Sequence, residues 1–452
     1  MRPLFKQAAR AMAPSLFVVC LALQFGIYPA SAANQTETAN LQHLIDAAAS
    51  GERLVIPTGS YEGAIIIDKP LTIQAERGAR LINRTPDAAV TVQADGVQLQ
   101  GLEIIQEVKG EAAAVLVSAA DVRLTELSIK TRAFGILLRD AQRNEIRDSK
   151  VVWMDEEGRS PVKMSGKRNG IDLFKSHDNV IAGNQVAGMN DAIYVESSDR
   201  NEVTGNQVDS SRYGVHLMYT EGTAVRGNFG SFNITGAMVM GVKGAEVTGN
   251  TFFKQSESVN SQGLLLFDVQ HSLIKDNKVE GNRVGLYVEQ SHNNTFIHNA
   301  VLRNFIGIQL LESENNHFKS NDFIANVIEA EAVDSTGNEL EANFWDAFKG
   351  IDVDGDGRSD TTYAINPFFQ QLTSRTPAFQ LFFQSPGMLF LENMFAEGRD
   401  SWATDRAPLM KPALYKPEGA DRHGQAGVLF ASAVMLLIAG ATIIYYAGGR
   451  RR

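Results

Sequence analysis

Seven short stretches of this chain align on one another at a nearly constant spacing, and that period limits the fold more than any other feature. They are "GIDLFKS" from Gly170, "AIYVESS" from Ala192, "GVHLMYT" from Gly214, "GAMVMGV" from Gly236, "GLLLFDV" from Gly263, "GLYVEQS" from Gly285 and "GIQLLES" from Gly307. Each step is 22 residues except the fourth, which is 27. An asparagine keeps the same rhythm at Asn184, Asn206, Asn228, Asn250, Asn277, Asn299, Asn321 and Asn343. A period of this length, carried by short apolar alternations and Asn/Gly turns, predicts an all-β right-handed parallel β-helix with about 22 residues per rung.

The second and fourth residues of every stretch are aliphatic, from Ile171 and Leu173 to Ile308 and Leu310, and are expected to stack inward as the core. The asparagines are expected to form a ladder at a tight turn, each bonding the next rung and itself tolerating a left-handed backbone. "AAVLV" near Ala113 and "GILLRDAQRNEI" at Gly135 continue the step, and the jump from there to Gly170 holds an inserted loop around "MDEEGRSPVKMSGKR". The solenoid is thus placed at residues 52–345. An N-terminal cap at 34–51 contains the amphipathic "NLQHLIDAAAS", which would cover the open first rung.

Residues 1–33 read as a signal peptide: Arg2, Lys6 and Arg10 precede an apolar run, and "ASA" at 30–32 offers small residues for cleavage. The only cysteine, Cys20, lies inside that run, so the mature chain would have no disulfide and no thiolate. A formal net charge of -10 argues against nucleic-acid binding, which needs a basic excess. Residues 427–449 are apolar and long enough to form one transmembrane helix, and Arg450–Arg452 follow. Positive residues stay in the cytoplasm, which puts the body of the chain in the periplasm, anchored to the inner membrane. A C-terminal sorting signal that is later cut has the same shape.

If the second and fourth residues of a rung face inward, the third and fifth face outward. The outward pairs run Asp172/Phe174, Tyr194/Glu196, His216/Met218, Met238/Met240, Leu265/Phe267, Tyr287/Glu289 and Gln309/Leu311. Rungs are about 4.8 Å apart and residues two apart on a strand roughly 7 Å, so His216, Met218, Met238 and Met240 mark the corners of one small patch. Thioether sulfur prefers Cu(I), and imidazole suits copper in either oxidation state. Methionine is also a common gap filler, and packing under a covering C-terminal segment is the alternative. Met154, Met164 and Met189 lie nearby in sequence, while His271, His292, His298 and His317 scatter over turn columns.

Residues 346–396 form the expected C-terminal cap. It contains Asp352, Asp354, Asp356 and Asp360 in the pattern D-x-D-x-D-G-x-x-D, with Tyr363 where a calcium loop closes with Glu. Structural Ca²⁺ and a plain Asp/Gly turn both fit. The partly helical apolar segment after it carries Phe382, Phe383, Met388, Phe390 and Met394, which would cover the solenoid or bind a membrane partner. Residues 397–426, with three prolines, read as an extended linker.

Four stretches together, "RLVIPTGSYEGAIIIDKPLTI" from Arg53, "RYGVHLMYT" from Arg212, "NFWDAFKGIDVDGDGRSDTTY" from Asn343 and "PAFQLFFQSPGMLFLENMF" from Pro377, resemble the NosD family. These are nitrous oxide reductase maturation proteins of the carbohydrate-binding and sugar-hydrolase type of β-helix. The resemblance spans roughly residues 40 to 396. It implies a non-catalytic, copper-binding periplasmic protein that works with an ABC-type ATPase and a membrane permease. A copper chaperone would supply metal, and the copper-sulfide cluster of nitrous oxide reductase would be the product. The other class of function is a polysaccharide lyase, epimerase or glycoside hydrolase, using Asp172, Tyr194, Glu196, Tyr287 and Glu289. Against it, the stretches from Gly170 onward place no Arg or Lys in the outward positions to meet an acidic sugar.

Overall fold

The computed structural model describes residues 40–414 apart from 159, 256–260, 383–384 and 396–401. Its strands build three sheets of 15, 13 and 12 strands, parallel except for one antiparallel pair (Tyr363–Ala364 with Thr404–Asp405) at the end of the first; along the coils, neighbours within a sheet are every third strand of the chain. That order is a right-handed-type β-solenoid of about 13 turns, with about 22 residues per turn. The register is one column per repeat position. Ile171, Ile193, Val215, Ala237, Leu264, Leu286 and Ile308 are paired in succession along the third sheet. All are at most 2% exposed, so the inward columns form one continuous core.

A glycine opens every aligned stretch except the one at Ala192, and a close approach favours it. A Cβ on Gly214 would lie 2.4 Å from the carbonyl oxygen of Gly236, and one on Gly236 2.4 Å from that of Gly263. Where the column reaches its last rung, Glu329 takes the position. Successive coils therefore touch backbone to backbone at this corner.

Asn184, Asn206, Asn228, Asn250, Asn277, Asn299, Asn321 and Asn343 form the expected ladder, each donating from Nδ2 to the Oδ1 of the next. The asparagines themselves do not take the left-handed backbone. The residue before each one does: Gly183, Gly205, Gly227, Gly249, Asp276, His298, Ser320 and Ala342. The corner thus divides its work, one residue turning the chain and the next bonding the coils. Tyr219, which strict alternation would send inward, likewise sits in the left-handed region and is 53% exposed.

Both ends of the solenoid are closed. Helix α1 (Leu41–Ala47) buries Leu41 and Ile45, and Gln42 bonds both the N–H and the carbonyl of Ile66 on the first strand of the third sheet. At the other end, Asp405 extends the first sheet and is fully buried. Its Oδ2 accepts from the N–H and Nδ2 of Asn343 and from Trp345 Nε1, which terminates the Asn ladder with a carboxylate. Asp322 accepts the N–H groups of Ala413 and Leu414. Residues 402–414 are therefore part of the cap, a correction to the expected linker at 397–426. Buried acceptors at the open edge hold this stretch against the last coils.

Helix α2 (Phe368–Arg375) lays Phe369 against Val284, Ile306 and Ile328 at the starts of third-sheet strands. The signal peptide at 1–33 and the apolar segment at 427–449 lie outside the described residues. Among the described residues no helix is long and apolar enough to cross a membrane.

Candidate metal-binding face

Three consecutive strands of the third sheet carry the face: Asp191–Glu196, Tyr213–Met218 and Thr235–Met240. Register brings Tyr194, His216 and Met238 into one column, and Glu196, Met218 and Met240 into the next. The outward residues are more exposed than their core neighbours, as the alternation requires, with His216 as an exception at 6% exposure. The patch expected from sequence is therefore assembled by the pairing, and one of its four members is buried.

His216 is buried by local neighbours. Its ring lies 4.9 Å from that of Tyr194 and 4.8 Å from that of Tyr213. Its Nδ1 is 2.8 Å from Asp191 Oδ2. Both oxygens of Asp191 also accept from Arg212, through Nε and Nη2 at 2.9 Å each. A carboxylate paired with a guanidinium is ionised and only accepts, so Nδ1 carries the proton. His216 Nε2 is buried and has no hydrogen-bond partner among the described residues. Leaving a buried polar atom unpaired costs on the order of 1–3 kcal/mol, so an Nε2 lone pair kept this way is open to a hydrogen-bond donor or a metal.

Next to it, the Tyr194 hydroxyl is 2.9 Å from Glu196 Oε2 and 3.4 Å from Met218 Sδ. It has one proton for two acceptors, and the carboxylate is the stronger. The Met218 thioether is thus left with its lone pairs free. Burial, then the hydrogen bond to Glu196, raise the Tyr194 hydroxyl pKa above its ordinary value. One imidazole nitrogen and the sulfurs of Met218, Met238 and Met240 would, if brought together on one ion, be a neutral, soft donor set of the kind that suits Cu(I) and gives hard cations little to hold. Tyr287 and Glu289 repeat the hydroxyl–carboxylate pair at 2.9 Å further along the face.

Asp172 is 4% exposed and pairs with Arg139 Nη1 at 2.7 Å, while Asn169 Nδ2 donates to it at 2.7 Å. Burial pushes its carboxyl up, opposed by the Arg139 charge. Arg139 registers with Phe174, an outward position, and Arg212 stands beside the face. The outward positions from Gly170 onward hold no Arg or Lys, as expected, but the face has cations beside it. The preceding rung and the corner before "YGVHLM" supply two.

Other sequence candidates separate clearly. Met189 is fully buried in the core. His271 and His298 take left-handed turn positions, and His292 Nδ1 accepts the Glu314 N–H. In the acidic loop, ligand oxygens of Asp352, Asp354 and Asp356 lie within 4.8 Å of one another. Asp360 is not in that group; its Oδ2 accepts the Val353 N–H at 2.7 Å. The three carboxylates are engaged in turns of the loop itself, accepting from Gly355, Gly357, Asp356 and Arg358. In the apolar segment, Phe382, Phe390 and Met394 are exposed, Phe383 lies outside the described residues, and Met388 is buried, unlike the rest of the expected partner surface. Leu391, not singled out from sequence, is 49% exposed beside Phe390.

Asp191 and Arg212 were not selected by the sequence reading. Asp191 immediately precedes the aligned "AIYVESS" and falls outside the outward third and fifth positions of the repeat. Arg212 opens "RYGVHLMYT", so its nearness to His216 was visible, but the carboxylate linking them comes from the previous coil.

Residues 154–354 match a family model described as periplasmic copper-binding protein (NosD). A Pseudomonas aeruginosa protein named probable ABC transporter binding protein NosD is 27% identical over 146 residues, 31% of this chain and 32% of that protein. A Stutzerimonas stutzeri protein of the same name is 26% identical over 141 residues, 30% of this chain and 31% of that protein. The matched part is about a third of the length of these curated relatives. Among solved structures, a mannuronic acid specific polysaccharide family 6 lyase from human gut microbiota superposes with a TM-score of 0.51 at 13% identity, over 75% of this chain and 91% of that one. That likeness concerns the fold alone. The part of the chain that matches the NosD family model, residues 154–354, contains His216, Met218, Met238, Met240 and the Asp191–Arg212 pair, so the candidate face lies within the region of family likeness.

Proposed function

We propose that this protein is a periplasmic, non-enzymatic accessory factor that binds Cu(I) on the His216 face and assists assembly of the copper-sulfide cluster of nitrous oxide reductase. The observation that carries the reading is the buried, unpartnered Nε2 of His216, in register with Met238 and next to the paired Met218 and Met240. The character of the matching family, periplasmic copper-binding proteins, supports the choice of metal. His216, Met218, Met238 and Met240 would hold the ion as cargo, and neutral donors would let it leave again for a stronger thiolate or sulfide acceptor.

The names of the relatives support association with an ABC-type transporter, and the exposed Phe382, Phe390, Leu391 and Met394 are the apolar surface offered to its permease. A copper chaperone would deliver the metal, and the segment at 427–449 would hold the protein at the inner membrane. Titration of the full chain with Cu(I) against a chelating competitor tests the metal site. Met218→Leu, Met238→Leu and Met240→Leu are each expected to weaken binding about tenfold or more, and unchanged affinity in the triple variant would remove this site.

A second reading, a polysaccharide-active enzyme, draws on the Tyr194–Glu196 and Tyr287–Glu289 pairs with Arg139 and Arg212 beside the face. Turnover of an acidic or neutral glycan by the purified protein would reverse the ranking.

A further inference from the structure

The metal reading leaves open why the single histidine of the face is buried and tied to a carboxylate while its sulfur neighbours are not. Asp191 is 1% exposed and is fixed from several directions at once. Arg212 grips both its oxygens and lies 4.5 Å over the Tyr213 ring. The Asp191 carbonyl accepts the Gly170 N–H at 2.8 Å, and the Asp191 N–H donates to Asn169 Oδ1 at 3.2 Å. Asn169 stands at the return of the inserted loop, where Arg168 O also accepts the Asn190 N–H. The insertion that interrupts the 22-residue rhythm therefore comes back into the sheet at the residue that holds His216.

We propose that Asp191, clamped by Arg212, is a positioning residue that commits His216 to the Nδ1–H tautomer and so reserves the Nε2 lone pair for a soft metal ion. This inference rests on the metal reading above. Metal-bound histidines commonly donate their second N–H to a carboxylate, which sets the tautomer and raises the basicity of the ligating nitrogen. Here the carboxylate, the two flanking tyrosine rings and the empty hydrogen-bonding capacity of Nε2 are all present in one arrangement. A merely structural histidine would pair both nitrogens, and a merely apolar filler would need no carboxylate.

The experiment uses the full chain with ¹⁵N-labelled histidine and Ag(I) as a redox-inert stand-in for Cu(I). Long-range ¹H–¹⁵N spectra of the metal-free protein are expected to show His216 as the Nδ1–H tautomer, and Ag(I) is expected to shift its Nε2 resonance. Asp191→Asn should mix the tautomers and weaken Ag(I) binding by about 10- to 100-fold, with Asp191→Glu recovering part of the loss. Should Asp191→Asn fail to fold, Arg212→Lys keeps the charge, loses the two-point grip and is expected to give a smaller loss in the same direction. An Nε2–H tautomer in the wild type, or an Asp191→Asn protein with unchanged tautomer and affinity, would overturn the positioning role. An Nδ1–H tautomer with no response to Ag(I) in any histidine or methionine resonance would instead overturn the metal reading, so the two failures are distinguishable.

Discussion

Two sets of buried polar side chains run along this molecule under opposite rules. In the Asn ladder every group is paired: Asn228 Nδ2 donates to Val203 O and to Asn250 Oδ1, and its Oδ1 accepts from the N–H and Nδ2 of Asn206. On the outer face, His216 is buried at 6% exposure, yet one of its two nitrogens has no partner among the described residues. Repetition with complete pairing marks residues that hold the coils together. A single interruption with an unpaired atom marks a residue retained for something outside the fold.

The comparison can be broken most forcefully at the ladder. Asn228→Ala removes four hydrogen bonds and leaves their partners buried, and is expected to cost about 4 kcal/mol in urea unfolding. A loss below about 1 kcal/mol would mean that the ladder is not what ties the coils.

A somewhat smaller effect is expected at Glu329, in the last rung, which belongs to neither set. Burial pushes its carboxyl up to about 7, although the Ala347 N–H donates to it at 2.7 Å. Because the folded pKa lies above the unfolded one, the unfolded chain releases this proton first as pH rises. Stability is then full below about pH 4.5, falls through pH 7 and levels off above it, by about 3 kcal/mol in all. Glu329→Gln should flatten that slope and leave the protein more stable than wild type at pH 8, as read by urea midpoints across pH.

The smallest change in stability should come from the outer face. His216→Phe keeps the Asp191–Arg212 pair and removes the orphaned nitrogen, so unfolding free energy should move by no more than about 1 kcal/mol. The same substitution should cost at least 100-fold in Cu(I) affinity. A large loss of stability with unchanged copper binding would put His216 on the same footing as the ladder.

Much of the solenoid was legible because its pattern repeats. Aliphatic pairs such as Val215 and Leu217 recur at one period, and a solenoid is the arrangement that stacks them. The same register brought His216, Met218, Met238 and Met240 together on paper as it does in space. What escaped was non-repetitive. Asp191 sits one residue before an aligned stretch, Arg139 lies in the rung before the insertion, and Asp405 comes from a segment that composition marked as linker. Each acts through a contact between residues far apart in the chain, for which a single sequence has no local signature.

The sequence by itself determined the coil, its period, the inward columns and which side chains share the outer face, because a parallel stack turns spacing along the chain directly into neighbours in space. Only the tertiary structure decided that His216 is buried, which of its nitrogens is spoken for, and that residues 402–414 close the last rung. Burial and hydrogen-bond direction depend on where corners, an insertion and a returning tail place single side chains, and those placements follow no period.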